Sequence, residues 1–122
     1  TVVLTTHYME EAEQICDRVA IMDKGKILSI GKPKDLIKNL IGAQVVEFDV
    51  KDSDLNYYLN RLASNNFQYQ VIRNQVNVHL SDDQTSKDVL EIISGRRVTV
   101  RTPTLSDVFL KLAGHDLRDE PL

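Results

Sequence analysis

A mixed α/β (α+β) chain is what these residues predict, on three observations. Apolar residues recur at helical spacing in some stretches and alternate strictly in others, so helices and half-buried strands are both present. Between Ala43 and Thr102 the changes of period follow the order β-α-β-β-α-β. Glycine, proline and Asn/Asp-containing turns stand where the period changes.

The chain opens on Thr1-Val2-Val3-Leu4-Thr5-Thr6, a β-branched run that reads as a buried strand. It has no preceding turn or start methionine and is expected to be a piece of something larger. A helix is predicted from about Tyr8, with Met9, Ala12 and Cys16 on its apolar side and Glu10, Glu11 and Glu13 outward. Arg18–Met22 and Ile27–Ile30 then form a hairpin about Asp23-Lys24-Gly25-Lys26, where Gly25 can take positive φ. Pro33 suits the first turn of a short helix carrying Leu36, Leu40 and Ile41, and Gly42 is its stop.

Beyond that glycine, Val46, Phe48 and Val50 alternate with Glu47 and Asp49. Leu55, Tyr58, Leu59, Leu62 and Ala63 make the stripe of a helix packed on one side. Phe67, Tyr69 and Val71 turn at Arg73-Asn74 into Val76, Val78 and Leu80. Asp83 is a candidate cap for a helix burying Val89, Leu90, Ile92 and Ile93 and ending at Gly95. Val98 and Val100 mark the last strand. This order describes a ferredoxin-like antiparallel sheet with two helices on one face. After Pro103, Thr104 and Asp107 have capping-box spacing ahead of Leu105, Val108, Phe109, Leu112 and Ala113, and Gly114 stops that helix. Residues 115–122 read as a flexible tail. The domain boundaries expected are therefore 1–42, 43–114 and 115–122.

Charged residues make up 27% and apolar ones 42%, which suits a globular fold rather than disorder. The net charge of -3 offers no electrostatic case for nucleic acid. No apolar run approaches the roughly 18 residues of a membrane span, so any membrane link is expected to run through a partner. Cys16 is the only cysteine, which excludes an intrachain disulfide framework.

Thr5-Thr6-His7-Tyr8-Met9-Glu10-Glu11-Ala12-Glu13, then Cys16-Asp17-Arg18-Val19-Ala20-Ile21-Met22, resembles the switch (H-loop) region of ABC transporter ATPases. The likeness continues through Asp23-Lys24-Gly25-Lys26-Ile27, Gly31-Lys32-Pro33 and Leu36. The ending from Pro103 to Gly114 is similar to the terminal helix of the exporter-type branch. The resemblance implies that residues 1–42 are the C-terminal end of a nucleotide-binding domain. His7 would then be the switch histidine contacting the γ-phosphate of ATP. One such donor matters because phosphoryl transfer rests on positioning and charge stabilisation. The bland reading of His7 is a residue that merely precedes the helix.

No G-x-x-x-x-G-K-[ST] phosphate loop occurs in the sequence, nor a strand ending in Asp-Glu, a glutamine loop or a Ser-Gly-Gly signature. ATP and Mg2+ are therefore expected as cofactors only of a full-length protein, and these residues alone are expected to be inactive. His7 with Glu10 or Glu11 makes a poor metal pair, and no metal is expected. Cys16 reads as a buried structural thiol. His79 alternates away from the core and reads as solvated. Lys24, Lys26, Lys32, Lys34 and Lys38 form a basic run, a solvated surface by default, with lipid headgroups or a permease loop as the sharper alternative. Tyr57, Tyr58, Phe67 and Tyr69 lack the basic-aromatic strand of an RNA platform.

The expectation is the ATPase subunit of an ABC exporter, cytoplasmic and peripheral on the membrane through its permease. Its partners would be a second ATPase subunit and that permease. Residues 43–114 would be an accessory domain with one sheet face open to a partner, and strand 1–6 would support self-association of these residues alone. The rival is a stand-alone ferredoxin-like module for ligand sensing or dimerisation, without ATPase activity.

Overall fold

The computed structural model describes residues 8–93 and 96–114. They divide into two compact units, one made of the residues up to Leu40 together with those from Thr104, the other of Ile41–Pro103.

In the first unit, α1 (Met9–Ile15) leads to the antiparallel hairpin β1 (Val19–Asp23) and β2 (Lys26–Gly31), then to α2 (Pro33–Leu40). Lys24 and Gly25 both take positive φ, at 51° and 76°. Two left-handed residues in a row match the twist of the flanking strands, which is why Lys-Gly closes this hairpin tightly. A register shift between Ile21 and Met22 bends the pair. Ile21 is buried, whereas Met22, Ile27 and Ile30 are more than half exposed.

The unit is completed by a helix distant in sequence, α5 (Leu105–Ala113), which packs against α1 and α2. Sequence order groups that helix with residues 43–114; it folds instead with the first unit. Its Leu105, Val108, Phe109 and Leu110 are all buried. The expected capping box is present, with the Thr104 amide donating to Asp107 Oδ2 at 2.8 Å. Gly114 takes φ 80° at the C-cap, as a left-handed helix stop requires.

The second unit holds β3 (Gln44–Asp49), α3 (Asp52–Ser64), β4 (Gln68–Ile72), β5 (Gln75–Leu80), α4 (Ser86–Ile92) and β6 (Val98–Arg101). The strands lie in the order β4-β5-β3-β6 with every pair antiparallel, the ferredoxin-like arrangement expected. Val46, Phe48, Val76, Val78 and Leu80 face the helices and meet Leu62, Val89, Ile92 and Ile93 in one core. Each such side chain contributes about 1.5–3 kcal/mol on burial.

α3 ends in a Schellman motif: Phe67 N–H reaches Leu62 O at 3.0 Å and Asn66 N–H reaches Ala63 O at 3.1 Å. Asn66 supplies the left-handed residue at φ 64°. Phe67 and Leu62 are themselves buried, so the motif carries its usual apolar contact. α4 begins at a Thr85–Asp88 capping box, which displaces Asp83 as the expected cap. Asp83 instead accepts from the Ser81 hydroxyl at 2.6 Å in the preceding turn. Gly95, the expected stop of this helix, lies outside the described residues.

Gly42 opens the second unit at φ 124°, and a Cβ there would stand 2.3 Å from the Leu80 carbonyl oxygen. Only glycine fits, because the chain must pass close enough for the Ala43 amide to bond Leu80 O at 2.8 Å.

Candidate functional site

His7, the residue on which the switch-loop expectation rests, lies outside the described residues, as does strand 1–6. The described chain begins immediately after it. Tyr8 is the N-cap of α1 and is largely exposed. Glu10 and Glu11 occupy the first turn and point to solvent, where they complement the positive end of the helix dipole.

Two residues hold α1 in place. Ala12 is buried on its inner side. Glu13, expected to face outward, is half-buried, and its carboxylate accepts the Leu105 amide at 3.0 Å. The first amides of a helix have no partner within it, so a carboxylate at that end satisfies an orphan donor and meets the positive pole of α5. At the other end of α5, Lys111 Nζ donates to the Leu40 carbonyl at 2.6 Å, closing the last turn of α2. One terminal helix thus clamps both the helix next to His7 and the helix that ends the unit. Sequence reasoning missed Glu13 because its partner lies 92 positions away.

Cys16 is not on the buried face of α1. It is the C-cap, with extended backbone, and is half-buried. The helix stops one residue short of the expected stripe, leaving Ile15 exposed. Among the described residues no group of three His, Cys, Asp or Glu side chains is placed to hold a metal ion. The lysines at 24, 26, 32, 34 and 38 are all exposed. No described helix is long and apolar enough to cross a membrane.

In the second unit, the face opposite the helices differs from expectation. His79 does alternate onto it, but it is 2% exposed rather than solvated, beside Asn77 at 1% and Val45 at 0%. An open partner face is therefore absent at these positions. A polar network crosses it: Arg101 on β6 pairs with Glu47 on β3, and its Nη2 donates to Asn77 Oδ1 at 3.3 Å. Buried polar groups need such partners, and the network ties three neighbouring strands. Tyr58 and Tyr69 pack against the core and Phe67 is buried, which leaves Tyr57 as the exposed aromatic of the four.

A depression of about 340 Å3 lies beside α3 and α4, over Phe67 and Ile92 and between Arg61, Gln84, Asp88 and Glu91. Several of its polar groups are already engaged within the fold. Gln84 bonds Ser81 and the Asn66 carbonyl, Asp88 completes the cap at Thr85, and Arg61 donates to the Tyr57 hydroxyl at 3.1 Å. Groups satisfied this way do not converge on a ligand, so the depression gives the sensing-module reading little to stand on.

No family model matches the sequence. Curated proteins do. A Nod factor export ATP-binding protein I of Rhizobium etli is 34% identical over 122 residues, covering 96% of this chain and 36% of that protein. The protein of the same name from Rhizobium meliloti strain 1021 is 38% identical over 120 residues, 98% of this chain and 35% of its own length. One from Ralstonia nicotianae is 35% identical over 125 residues, with 98% and 38% covered. This chain thus spans a little over a third of the curated relatives it matches, and the likeness runs through both of its units rather than the His7 region alone. By that likeness and the resemblance of its switch region, the chain belongs to the ABC transporter ATP-binding proteins.

Proposed function

We infer that this chain serves within the ATP-hydrolysing subunit of an ABC transporter and that the energy drives export through a separate membrane permease. The observation that carries this is the likeness to export ATP-binding proteins across 96–98% of the chain. The name these relatives share, export ATP-binding protein, supports both the nucleotide and the direction. ATP and Mg2+ are cofactors of the whole protein, and its partners are the permease and a second ATPase subunit. The subunit works on the cytoplasmic face, peripheral to the membrane through its permease.

His7 is the γ-phosphate contact in this reading. The sequence pattern sets His7 between a β-branched run and a helix, and a residue so placed in an α/β fold stands where ligands bind. Its imidazole donates to the phosphate and holds the attacking water in line. The clamp of α5 on α1 supports the role, because a positioning residue needs a fixed backbone on at least one side. The residues up to Leu40, completed by the helix after Thr104, are then the end of the nucleotide-binding domain, and Ile41–Pro103 an accessory region.

The test is His7→Ala in the full-length protein. Nucleotide affinity should change little while turnover falls by about 10²–10³, the usual loss for one donor to a transition state. Turnover within twofold of wild type would remove His7 from the mechanism. For the 122-residue chain, ATP with Mg2+ should leave the melting temperature unchanged, and a rise of several degrees would show a nucleotide site within it.

A further inference from the structure

α1 has little of its own to hold it. With seven residues it is well below the length at which a helix persists alone. Tyr8 at its N-cap gives no side-chain hydrogen bond to the first turn, and the last turn carries no basic residue. Ala12 is its one buried side chain. A single methyl group packs almost as well over a range of rotations about the helix axis, so burial alone does not fix which way α1 faces.

The bond from the Leu105 amide to the Glu13 carboxylate does, because a hydrogen bond is directional where apolar contact is not. Its far end is firm. Leu105 opens α5, whose first turn is closed by the Thr104–Asp107 box and whose Leu105, Val108, Phe109 and Leu110 are all buried. Its near end points the right way. Side chains on a helix lean toward its N-terminus, so Glu13 holds the turn of α1 that contains Met9, four positions back on the same face. His7 stands two positions before Met9 in the chain.

We propose that Glu13 is a positioning residue for His7: held by the Leu105 amide, it sets the rotation of α1 and thereby the place of the histidine that precedes it. The proposal rests on the reading of His7 as the γ-phosphate contact. Glu13 touches neither nucleotide nor water and acts only through the helix. Glu10 and Glu11 point to solvent and have no such part. Of the three glutamates on α1, only the one bonded to the terminal helix governs turnover.

The experiment compares ATP turnover of the full-length protein, well below its melting temperature, for wild type, Glu13→Ala, Glu13→Gln, His7→Ala and the Glu13→Ala/His7→Ala double variant. Glu13→Ala should lower kcat about tenfold or more while KM for ATP stays within about twofold, because misplacing a catalytic group by an ångström can cost about 10². Glu13→Gln keeps an acceptor oxygen and should recover most of the loss. In the His7→Ala background Glu13→Ala should change kcat by less than about twofold, since the group it positions is gone.

The same factor lost in both backgrounds would mean that Glu13 only stabilises the fold, and would overturn the proposal. So would a Glu13→Ala kcat within about twofold of wild type, by the same scale. A kcat that falls with His7→Ala but not with Glu13→Ala removes the proposal alone; a kcat indifferent to His7→Ala removes the reading beneath it as well. Should Glu13→Ala fail to fold, Leu105→Pro deletes the same bond from the donor side, at a first helical position that proline suits, and is judged by the same comparison.

Discussion

The Glu13 carboxylate and the Leu105 amide, 92 positions apart in the chain, are joined at 3.0 Å. The bond sits where one helix begins and another would otherwise be held by Ala12 alone among its buried residues. Leu105 is 1% exposed, so its amide has no ready substitute in water. Glu13→Ala should lower unfolding stability by about 2 kcal/mol, the cost of stranding a buried donor that had a charged acceptor. Glu13→Gln should recover roughly half of that, since it keeps an oxygen but not the charge. Urea titration of the three proteins checks both, and equal stability of all three would show the bond to be idle.

Gly42 admits no side chain. Gly42→Ala would force a methyl group into the Leu80 carbonyl, 2.3 Å away, at a φ of 124° that L-residues rarely adopt. A loss of more than about 2 kcal/mol is expected, from backbone strain and the shift of β5 together. Gly114→Ala is the control. It also has positive φ but open space around it, so about 1 kcal/mol is expected. Thermal melts that rank the two the other way would contradict the geometry.

Arg96 gathers the second unit's loose end. Its guanidinium donates to Asp54 Oδ2 at 3.0 Å and to the Asp49 carbonyl at 3.2 Å, and lies 4.9 Å from the centre of the Tyr58 ring. Tyr58 foremost, then Asp54, hold its pKa above the usual arginine value. Arg96→Ala should lower the melting temperature only slightly, because the ion pair is partly exposed and screened by solvent. Arg96→Lys should recover little, because an ammonium cannot stack and bridge at once. Hydrogen exchange of the Val98–Arg101 amides should accelerate in both.

Asp83 supplies a pH signature. The Ser81 hydroxyl foremost, and its own backbone amide second, hold its carboxyl below the usual aspartate range. A folded-state pKa below the unfolded one contributes stability above the unfolded value and loses it as pH falls through the folded value. Ser81→Ala should therefore raise the Asp83 titration midpoint toward that of a free aspartate, monitored by carboxyl carbon NMR. The stability difference between the two proteins should shrink as pH drops below about 4.

Much of this fold is legible from local pattern. The alternation of Val46 and Phe48, the stripe through Leu62, the Thr104–Asp107 box and the glycine at 114 each follow from one short stretch, and each forms as expected, whereas the need for glycine at 42 comes from distant Leu80. What sequence misplaces is decided by distant chain. Nothing within α5 says which of two units will bury its apolar face. Alternation puts His79 on the correct side of its strand but is silent on whether that side meets water. Asp83 and Thr85 are both sound caps, and the choice fell to the residue whose N3 partner, Asp88, can reach back. The candidate site was read from motif resemblance, and the residues that steady its helix could not be, because Glu13 looks like any surface glutamate until Leu105 arrives.

The return of α5 also fixes an order of events during synthesis. Residues 41–103 form a unit whose first and last strands, β3 and β6, are hydrogen-bonded neighbours, with Val45 opposite Arg101. That unit is complete once Arg101 has left the ribosome. The earlier residues are not: α1 and α2 must wait for Leu105–Ala113 before their shared partner exists. At about 5–20 residues per second α2 waits several seconds for α5, and only in the last one or two of these, after Arg101 has emerged, can the younger unit fold while the older part stays open to chaperones.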